Sequence, residues 1–338
     1  MTVRPEIIKL QESVQREIIG QEEIVERLVL GILANGHILM ESLPGLAKTR
    51  AVNALSKNIE GSFNRIQFTP DLVSGDITGR EQFYEGEGED GRGAYRFIKG
   101  PIFNNIVLAD EINRSPSKTQ NAVLEAMEER QVTVAGSVHK MPDLFLVLAT
   151  MNPASQQGTF PMPEAQMDRF LMHVMVNYPD EDAEAKIIRL IRKEQSQENK
   201  KKDIHKDTRS VCTQETLFAA RAEIDAITVP EYVERYMVDL IFATRYPQRY
   251  TYELKSFIAF GASPRASLAL DKVCRAYAWL KGETEVSLEI VEAIMPAILR
   301  HRLIRGERAV EHKISVDDIC EEILELIERP SQKATLTD

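Results

Sequence analysis

Apolar positions follow two different spacings along the chain. At the amino terminus Ile7, Ile8, Val14, Ile18 and Ile19 lie mostly three to four positions apart, which predicts an amphipathic helix within residues 1–19. Other apolar residues form short unbroken runs with the length of buried strands. These runs lie at residues 37–40, 105–109, 144–150 and 171–176.

Helical patterns separate the apolar runs, notably at residues 22–34, 50–58 and 118–129. Strands that alternate with helices predict a parallel sheet covered by helices on both faces. Two β-hairpins interrupt this order. One is predicted around the glycine-rich residues 86–93, which aromatic residues flank, and the other at residues 131–140.

The composition changes after residue 179. Residues 195–207 are polar and charged and predict a solvated connection. Beyond them the pattern is almost wholly helical, and Ser263-Pro264 is a good start for a helix that ends near Gly282. We therefore predict an α/β domain over residues 1–180, a connecting charged segment over 181–212 and a helical domain over 213–330.

Composition and charge limit the classes of partner. The chain has 338 residues, a formal net charge of −10 and a pI near 5.3, which argues against a broad electrostatic grip on nucleic acid or an anionic membrane. Its three cysteines lie far apart without metal-ligand spacing, so neither a zinc site nor a disulfide framework is predicted. This usage fits the cytoplasm. The most apolar stretch, residues 28–40, is too short to cross a bilayer.

A candidate phosphate-binding loop follows the first apolar run. Residues 42–49, Ser-Leu-Pro-Gly-Leu-Ala-Lys-Thr, lead directly into a predicted helix, which is the context that such a loop requires. Lys48 would neutralise the β- and γ-phosphates, and the Thr49 hydroxyl would bind Mg²⁺. Because Ser42 and Ala47 replace the two glycines of the usual pattern, the loop by itself fits an ordinary turn better.

The acidic pair Asp110-Glu111 changes this balance. It ends an apolar run about sixty residues after Lys48, with a helix between the two strands. One carboxylate would hold the Mg²⁺ shell, and the other would orient and deprotonate the attacking water. Two exposed acids at a strand end are the alternative, but the order and spacing of both features together predict ATP hydrolysis.

Three further polar residues fit an ATPase that assembles into a ring. The amide of Asn152 would hold water near the γ-phosphate, although an Asn-Pro turn uses the same residue. Arg169 would reach a neighbouring subunit's γ-phosphate, or would form a surface salt bridge. Arg265 lies at a predicted helix start, where the dipole disfavours a cation, so it indicates an anionic partner or is simply solvated.

These residues carry a resemblance to the MoxR family of AAA+ ATPases, and the resemblance covers nearly the whole chain. It implies an α/β P-loop AAA+ core, in which helices sandwich a parallel sheet that carries a helix-2 insert hairpin and a pre-sensor-1 hairpin, plus an all-helical C-terminal lid domain. The matching segments are GQEE (20–23), GHIL (36–39), PGLAKT (44–49), FTPDL (68–72), KGPIF (99–103), ADEINR (109–114), TQN (119–121), LEAMEER (124–130), ATMNP (149–153), PEAQMDRF (163–170) and GASPRA (261–266).

The resemblance also implies a role for each site residue. The metal ligands are Thr49 of Walker A and Asp110 of Walker B. The catalytic set is Glu111 of Walker B, Asn152 as sensor 1, Arg169 as the arginine finger and Arg265 as sensor 2. Ser42 departs from the family, in which a glycine is commoner. The residues that bind ATP are Gly20 and Gln21, which lie against adenine, with Pro44, Gly45, Leu46, Ala47, Lys48, Thr49 and Arg50.

Three classes of function are open at this point. The first is Mg²⁺-dependent ATP hydrolysis by a homo-hexameric ring that remodels or matures a partner complex in a chaperone-like way, with a separate partner that bears a von Willebrand factor A domain; a metal-chelatase motor subunit is its variant. The second is a DNA-remodelling motor, which Arg130, His139 and Lys140 favour and the acidic hairpin tip at 85–90 disfavours. The third is a scaffold that binds ATP without cleaving it, against which Asp110-Glu111 argues.

Overall fold

The computed structural model describes residues 2–41, 48–85, 93–153, 156–198 and 210–330, without the side chains of residues 48 and 193–198. Several predicted features lie outside the described residues. They are Pro44, Gly45, Leu46 and Ala47 of the phosphate-binding loop, the side chain of Lys48, and most of the glycine-rich tip at 86–92.

Eleven strands and fourteen α-helices make up the described part of the chain. The strands are β1 (Ile38–Glu41), β2 (Phe63–Gln67), β3 (Gly79–Tyr84), β4 (Ala94–Lys99), β5 (Ile106–Asp110), β6 (Gln131–Val134), β7 (Ser137–Lys140), β8 (Leu146–Met151), β9 (Met172–Met175), β10 (Ile258–Phe260) and β11 (Ile304–Arg305). The helices are α1 (Arg4–Glu17), α2 (Glu22–Leu33), α3 (Lys48–Asn58), α4 (Ser74–Thr78), α5 (Ser117–Glu129), α6 (Glu164–Met167), α7 (Glu181–Glu198), α8 (Gln214–Asp225), α9 (Glu231–Arg245), α10 (Tyr252–Phe257), α11 (Pro264–Lys281), α12 (Leu288–Leu299), α13 (Glu307–Glu311) and α14 (Val316–Leu326).

The main sheet has five parallel strands in the order β2-β5-β8-β1-β9. Its strands bury alternate residues on two faces, as a sheet covered on both sides requires. Ile38 and Met40 of β1 belong to the apolar cluster that contains α1, α2 and α3, whereas Leu39 belongs to the cluster that contains α5. The predicted α/β core is therefore confirmed.

Both predicted hairpins are present. β3 and β4 pair antiparallel from Gly79 opposite Lys99 to Tyr84 opposite Ala94, and β6 pairs with β7 across a turn at residues 135–136. The two hairpins contact each other, since the ring of Phe97 on β4 stacks on that of His139 on β7 at 3.8 Å between centroids. They form one paired unit beside the main sheet.

The carboxyl-terminal region is helical apart from the short antiparallel pair β10–β11, and we call residues 213–330 the lid. The Ser263 side chain caps α11 at its start, and Gly282, with a φ of 86°, ends it as predicted. Helices α1 and α2 pack against α8 and α11, so that one apolar cluster continues from the sheet into the lid. The domain limits at residues 180 and 212 stay a prediction.

Two elements differ from the apolar pattern. The pattern does not predict β2, because β2 is an edge strand in which only Ile66 is buried. The first part of the charged connection at 181–212 is the helix α7. Across the described ranges, every helix is too short or too polar to span a lipid bilayer.

Candidate functional site

Parallel strands all end at one edge of the sheet. We call this edge, with Asp110, Glu111, Asn152 and the start of α3, the carboxyl edge; the amino edge holds residues 35–37, 128–130 and 168–171. The chain leaves β1 towards β2 on one side, but leaves β8 towards β9 on the other side. Such a switch point opens a crevice at the carboxyl ends of the strands, where open α/β sheets bind ligands.

Asp110 is the last residue of β5 and is buried. The Thr150 hydroxyl of β8 donates a hydrogen bond to Asp110 Oδ1 at 2.6 Å. Arg65 of β2 donates to Asp110 Oδ2 through Nε at 2.9 Å and through Nη2 at 2.6 Å. The strands on both sides of β5 therefore fix the orientation of this carboxylate.

Glu111 has a φ of 56°, in the left-handed region that residues other than glycine rarely adopt. Its backbone N–H donates to Thr150 Oγ1 at 2.8 Å. Its carboxylate accepts hydrogen bonds from Asn152 Nδ2 at 3.3 Å and Gln67 Nε2 at 3.2 Å, and Arg114 Nε lies 3.0 Å from Glu111 Oε2. Uncommon backbone conformations of this kind cluster at functional sites.

Asn152 follows β8 and is buried. Asn113 fixes its backbone, because the Asn113 amide donates to Asn152 O at 2.9 Å and accepts from Asn152 N–H at 3.2 Å. Asn152 Oδ1 is buried and has no hydrogen-bond donor among the described residues. Since buried polar atoms are nearly always satisfied, this oxygen fits a water molecule or a ligand.

The first turn of α3 contains Thr49 and Arg50. This turn follows β1, whose neighbour β8 lies beside β5, so Thr49 is placed at the same edge as Asp110. Arg50 Nε donates to the carbonyl oxygen of Glu17 at 3.0 Å and thereby ties α3 to the end of α1.

A cavity of about 280 Å³ lies next to Arg50, and Ile18, Gln21 and Tyr178 also line it. Gln21 Nε2 donates to the Asn177 carbonyl oxygen at 3.3 Å, whereas its Oε1 is buried without a donor among the described residues. This combination of apolar walls and an unsatisfied acceptor suits a flat ligand with an amino group.

Gly20 sets the position of α7 beside this cavity. Its φ is +73°, and a Cβ there would lie 2.4 Å from the Cβ of Ala183. Only glycine combines this backbone angle with so close an approach.

Arg169 and Arg265 meet at one carboxylate. Arg169 Nη2 lies 2.9 Å from Glu128 Oε2, and Arg265 pairs with Glu128 Oε1. The two arginines line a cavity of about 230 Å³ together with Arg130 and Lys272. The amino edge therefore gathers cations, although the chain as a whole is acidic.

The structure separates the predicted residues into two groups. Helix α5 begins at Ser117, shortly after Glu111 in the chain, and leads away from the acids. Its residue Glu128 lies about 17 Å along the helix from Ser117, because an α-helix rises about 1.5 Å per residue. The cavity around Arg169 includes Asn35 and His37, which precede β1, whereas the loop of Lys48 follows β1. Asp110, Glu111 and Asn152 come together at the carboxyl edge, and Arg169 and Arg265 come together at the amino edge.

Several residues that organise the acids were not expected from the sequence. They are Arg65, Gln67, Asn113, Arg114 and Thr150. Arg65 and Gln67 lie on the unpredicted strand β2, and Thr150 has a signal only as a hydroxyl residue at the end of an apolar run. The contacts of Arg65 and Thr150 with Asp110 join strands that are about forty residues apart in the sequence.

Family models match both regions of the chain. The ATPase family associated with various cellular activities (AAA) matches residues 37–172, and the AAA lid domain matches residues 253–323. Together with the acid pair at the carboxyl edge, these matches define the class: the chain is an AAA ATPase with a lid.

Full-length relatives narrow the class further. Chaperone MoxR1 of Mycobacterium tuberculosis is 39% identical over 326 residues, which cover 95% of this chain and 82% of that protein. The uncharacterized protein YeaC of Bacillus subtilis is 36% identical and covers 99% of this chain and 98% of its own length. A crystal structure of a protein from Cytophaga hutchinsonii that is assigned as an ATPase has a TM-score of 0.85 at 37% identity, over 97% of this chain and 96% of that chain. The chain belongs to the MoxR family of AAA ATPases.

Proposed function

We propose that this ATPase hydrolyses Mg-ATP at sites shared between neighbouring copies of the chain in a hexameric ring. The observation that carries the proposal is the separation of the acids from the arginines. Phosphoryl transfer needs both a group that activates water and cations that stabilise the charge on the transferred phosphoryl group. The two edges of one sheet hold these groups apart, so two copies must join opposite edges to complete one site.

The carboxyl edge activates water. Glu111 accepts the proton of the attacking water, and Asn152, whose amide lies 3.3 Å from the Glu111 carboxylate, orients that water. Lys48, Thr49 and Asp110 bind the Mg-triphosphate. The metal ion, when bound, neutralises phosphate charge.

The donors at this edge fit magnesium. No group of three or more His, Cys, Asp or Glu side chains in the described ranges converges to hold a metal. Mg²⁺ is commonly bound by one or two carboxylates together with phosphate oxygens and waters, which matches the buried carboxylate of Asp110 at the sheet edge where α3 begins with Thr49. The Arg65 guanidinium pairs with Asp110 Oδ2, and Asp110 would hold the cation through its carboxylate.

The cavity at Gln21 receives the adenine base. Ile18 and Tyr178 supply apolar surface for the ring, and Gln21 Oε1, which lacks a donor within the described residues, accepts the exocyclic amino group. Arg50 joins this cavity to the first turn of α3, so the base lies next to the phosphate-binding loop.

The amino edge serves the neighbouring copy. Arg169 and Arg265 act in trans on its γ-phosphate, since both lie at the edge opposite their own acids. The Glu128 carboxylate holds the two guanidinium groups together until the neighbour's phosphate replaces it.

The work of the ring is the remodelling of a partner protein complex, with a separate partner that carries a von Willebrand factor A domain. A relative that is named a chaperone supports this direction.

The DNA-motor alternative is weakened, because two of the three basic residues that favoured it make contacts within the protein. Arg130 donates to the carbonyl oxygens of Phe145 and Asn35, and His139 stacks on Phe97.

The proposal is tested by ATP turnover and nucleotide affinity of Glu111→Gln and Arg169→Ala. Both variants should bind ATP and lose turnover by about 10²-fold or more, because one removes the general base and the other the charge stabiliser. Glu125→Gln on the exposed side of α5 and Arg235→Ala on the exposed side of α9 are matched controls that should keep wild-type turnover. Wild-type turnover in Glu111→Gln and Arg169→Ala would overturn the proposal.

A further inference from the structure

Residues 168–171 join α6 to β9 and contain Arg169. The lid holds this segment through Arg302, whose side chain is 3% exposed. Arg302 Nε donates to Asp168 Oδ1 at 2.9 Å, and its two Nη atoms donate to the carbonyl oxygens of Asp168, Phe170 and Leu171. One guanidinium thus contacts almost every residue of a four-residue segment.

Other lid residues also form hydrogen bonds with residues 168–171. The Ser263 hydroxyl, at the start of α11, donates to Asp168 Oδ2 at 2.8 Å. His301 Nε2 donates to the carbonyl oxygen of Phe170 at 3.0 Å. Three lid residues from two places in the sequence therefore converge on Asp168 and Phe170, the two neighbours of Arg169.

The ion pair of Asp168 and Arg302 fixes the orientation of residues 168–171 more than it contributes to stability. The Asp168 side chain is 16% exposed; its Oδ1 faces Arg302, and its Oδ2 faces the Ser263 hydroxyl and, at 3.7 Å, Arg265 Nη1 of the lid. Burial of an ion pair contributes little net stability, because desolvation offsets the attraction, but charge-assisted hydrogen bonds from a planar guanidinium fix orientation strictly. The pair thus fixes the backbone on both sides of Arg169.

The lid also contacts the side chain of Arg169, through a carboxylate that the two share. The Arg169 side chain contacts the Glu128 carboxylate and, through Nη1 at 3.2 Å, the carbonyl oxygen of Leu124, and Arg265 of the lid pairs with the same Glu128. The lid therefore controls the backbone of Arg169 through Arg302 and its side chain through a shared carboxylate.

We propose that Asp168 and Arg302 are positioning residues that couple the lid to Arg169, so that the lid of one copy sets the rate of hydrolysis at its neighbour's site. This inference rests on the trans role of Arg169 proposed above. If the ion pair only attached the lid to the sheet, its loss would lower the stability of the fold. It would not specifically lower the rate of ATP hydrolysis at the neighbouring copy's site.

Arg302→Lys and Asp168→Asn test the proposal. Lysine keeps the charge but loses the planar fork, and asparagine keeps the shape of aspartate but loses its charge. Both variants should lower kcat by about 10- to 100-fold, because a small misplacement of a catalytic group costs that much. KM for ATP and nucleotide affinity should stay within about twofold, since the variant's own carboxyl edge is intact.

Arg27→Lys is the matched control. Arg27 is also a buried arginine; it lies on α2 and faces the lid, where its Nη2 donates to the carbonyl oxygen of Ala293 at 3.2 Å, and its ion pairs are with Glu23 and Glu26 of its own helix. It should lose stability comparable to that of Arg302→Lys while kcat stays near the wild-type value. If Arg302→Lys fails to fold, Asp168→Asn carries the same test, because it changes no volume in the interface.

Mixed rings decide whether the effect is on the neighbour. Arg302→Lys subunits keep their own acids, and Glu111→Gln subunits keep an intact lid and Arg169, so a mixture should regain turnover that neither variant has alone. Wild-type kcat in both Arg302→Lys and Asp168→Asn, or a loss that Glu111→Gln subunits do not rescue, would overturn the coupling. Retained turnover in Arg169→Ala would instead overturn the proposed function itself.

Discussion

The carboxyl edge and the amino edge of the same sheet have opposite chemistry. At the carboxyl edge the Asn152 amide donates to the Glu111 carboxylate, and Thr150 of β8 and Arg65 of β2 hold the neighbouring carboxylate of Asp110. At the amino edge Arg169, Arg265, Arg130 and Lys272 line one cavity around Glu128. In the proposed function, each edge supplies groups for phosphoryl transfer that the other lacks.

The architecture itself forces this division. Strands of the main sheet have four to six residues, which at about 3.3 Å per residue separate the two edges by roughly 13–20 Å. No arginine side chain at the amino edge spans that length. On the proposed function, one folded chain carries two half sites, and assembly rather than folding completes the chemistry.

The largest effect is expected when the two edges are broken in different subunits. Rings of Glu111→Gln alone and of Arg169→Ala alone should each lose about 10²- to 10⁴-fold in turnover. In an equal mixture whose subunits assemble at random, each site of a closed ring draws Glu111 from one subunit and Arg169 from the next. About a quarter of the sites therefore join an intact Glu111 to an intact Arg169. Turnover should therefore recover to about a quarter of the wild-type rate, measured as ATP hydrolysis against mixing ratio.

The control for this mixture uses the double variant Glu111→Gln/Arg169→Ala. Mixed with Glu111→Gln, it offers no subunit with an intact acid, so turnover should stay at the level of the separate variants. If the Glu111→Gln and Arg169→Ala mixture also showed no recovery, both halves of the site would belong to one chain.

A smaller effect is expected from the support of the carboxyl edge. Thr150→Val removes the hydroxyl that donates to Asp110 Oδ1 and accepts from Glu111 N–H. Asp110 Oδ1 and the part-buried N–H of Glu111 then lose this partner, which should cost about 1–3 kcal/mol in the free energy of unfolding. Turnover should fall as well, because the orientation of both acids depends on this hydroxyl.

Thr216→Val separates these two effects. The Thr216 hydroxyl is also buried and donates to a carboxylate, Glu6 Oε2, at 2.9 Å, but it lies in α8 away from the acids. Urea denaturation should show a similar loss of stability, whereas turnover under folding conditions should stay at the wild-type rate. Equal turnover in Thr150→Val and Thr216→Val would show that Thr150 has no part in arranging the acids.

The two edges also differ in how much the sequence could predict. Asp110, Glu111 and Asn152 follow unbroken apolar runs, and the parallel order of those runs brings them to one edge. Arg169 and Arg265 are recognisable one by one, but their common partner Glu128 depends on packing between the lid and α5. Arg302 has no local signal, because burial of an arginine depends on acceptors about 130 residues away.

His37 lies on the wall of the amino-edge cavity at the start of β1. Its Nδ1 accepts the backbone N–H of Val147 at 2.9 Å, and its Nε2 donates to the carbonyl oxygen of Met127 at 3.3 Å. Burial, and then the neighbouring Arg130 cation, lower the pKa of His37 from 6.5 to about 3. The folded state therefore keeps this imidazole neutral at pH values where the unfolded chain protonates it.

The smallest expected effect is a dependence of stability on pH that His37 causes. Because its pKa is lower in the folded state, the unfolded state binds more protons between pH 6.5 and about 3, and stability falls as the pH falls through that window. Between pH 7.5 and 5.5 this histidine should remove about 1.4 kcal/mol from the free energy of unfolding. His37→Asn should be less stable at pH 7.5 but should lack this part of the decline, as urea denaturation at the two pH values would measure. Parallel declines in the wild type and the variant would show that the amino edge does not hold His37 neutral.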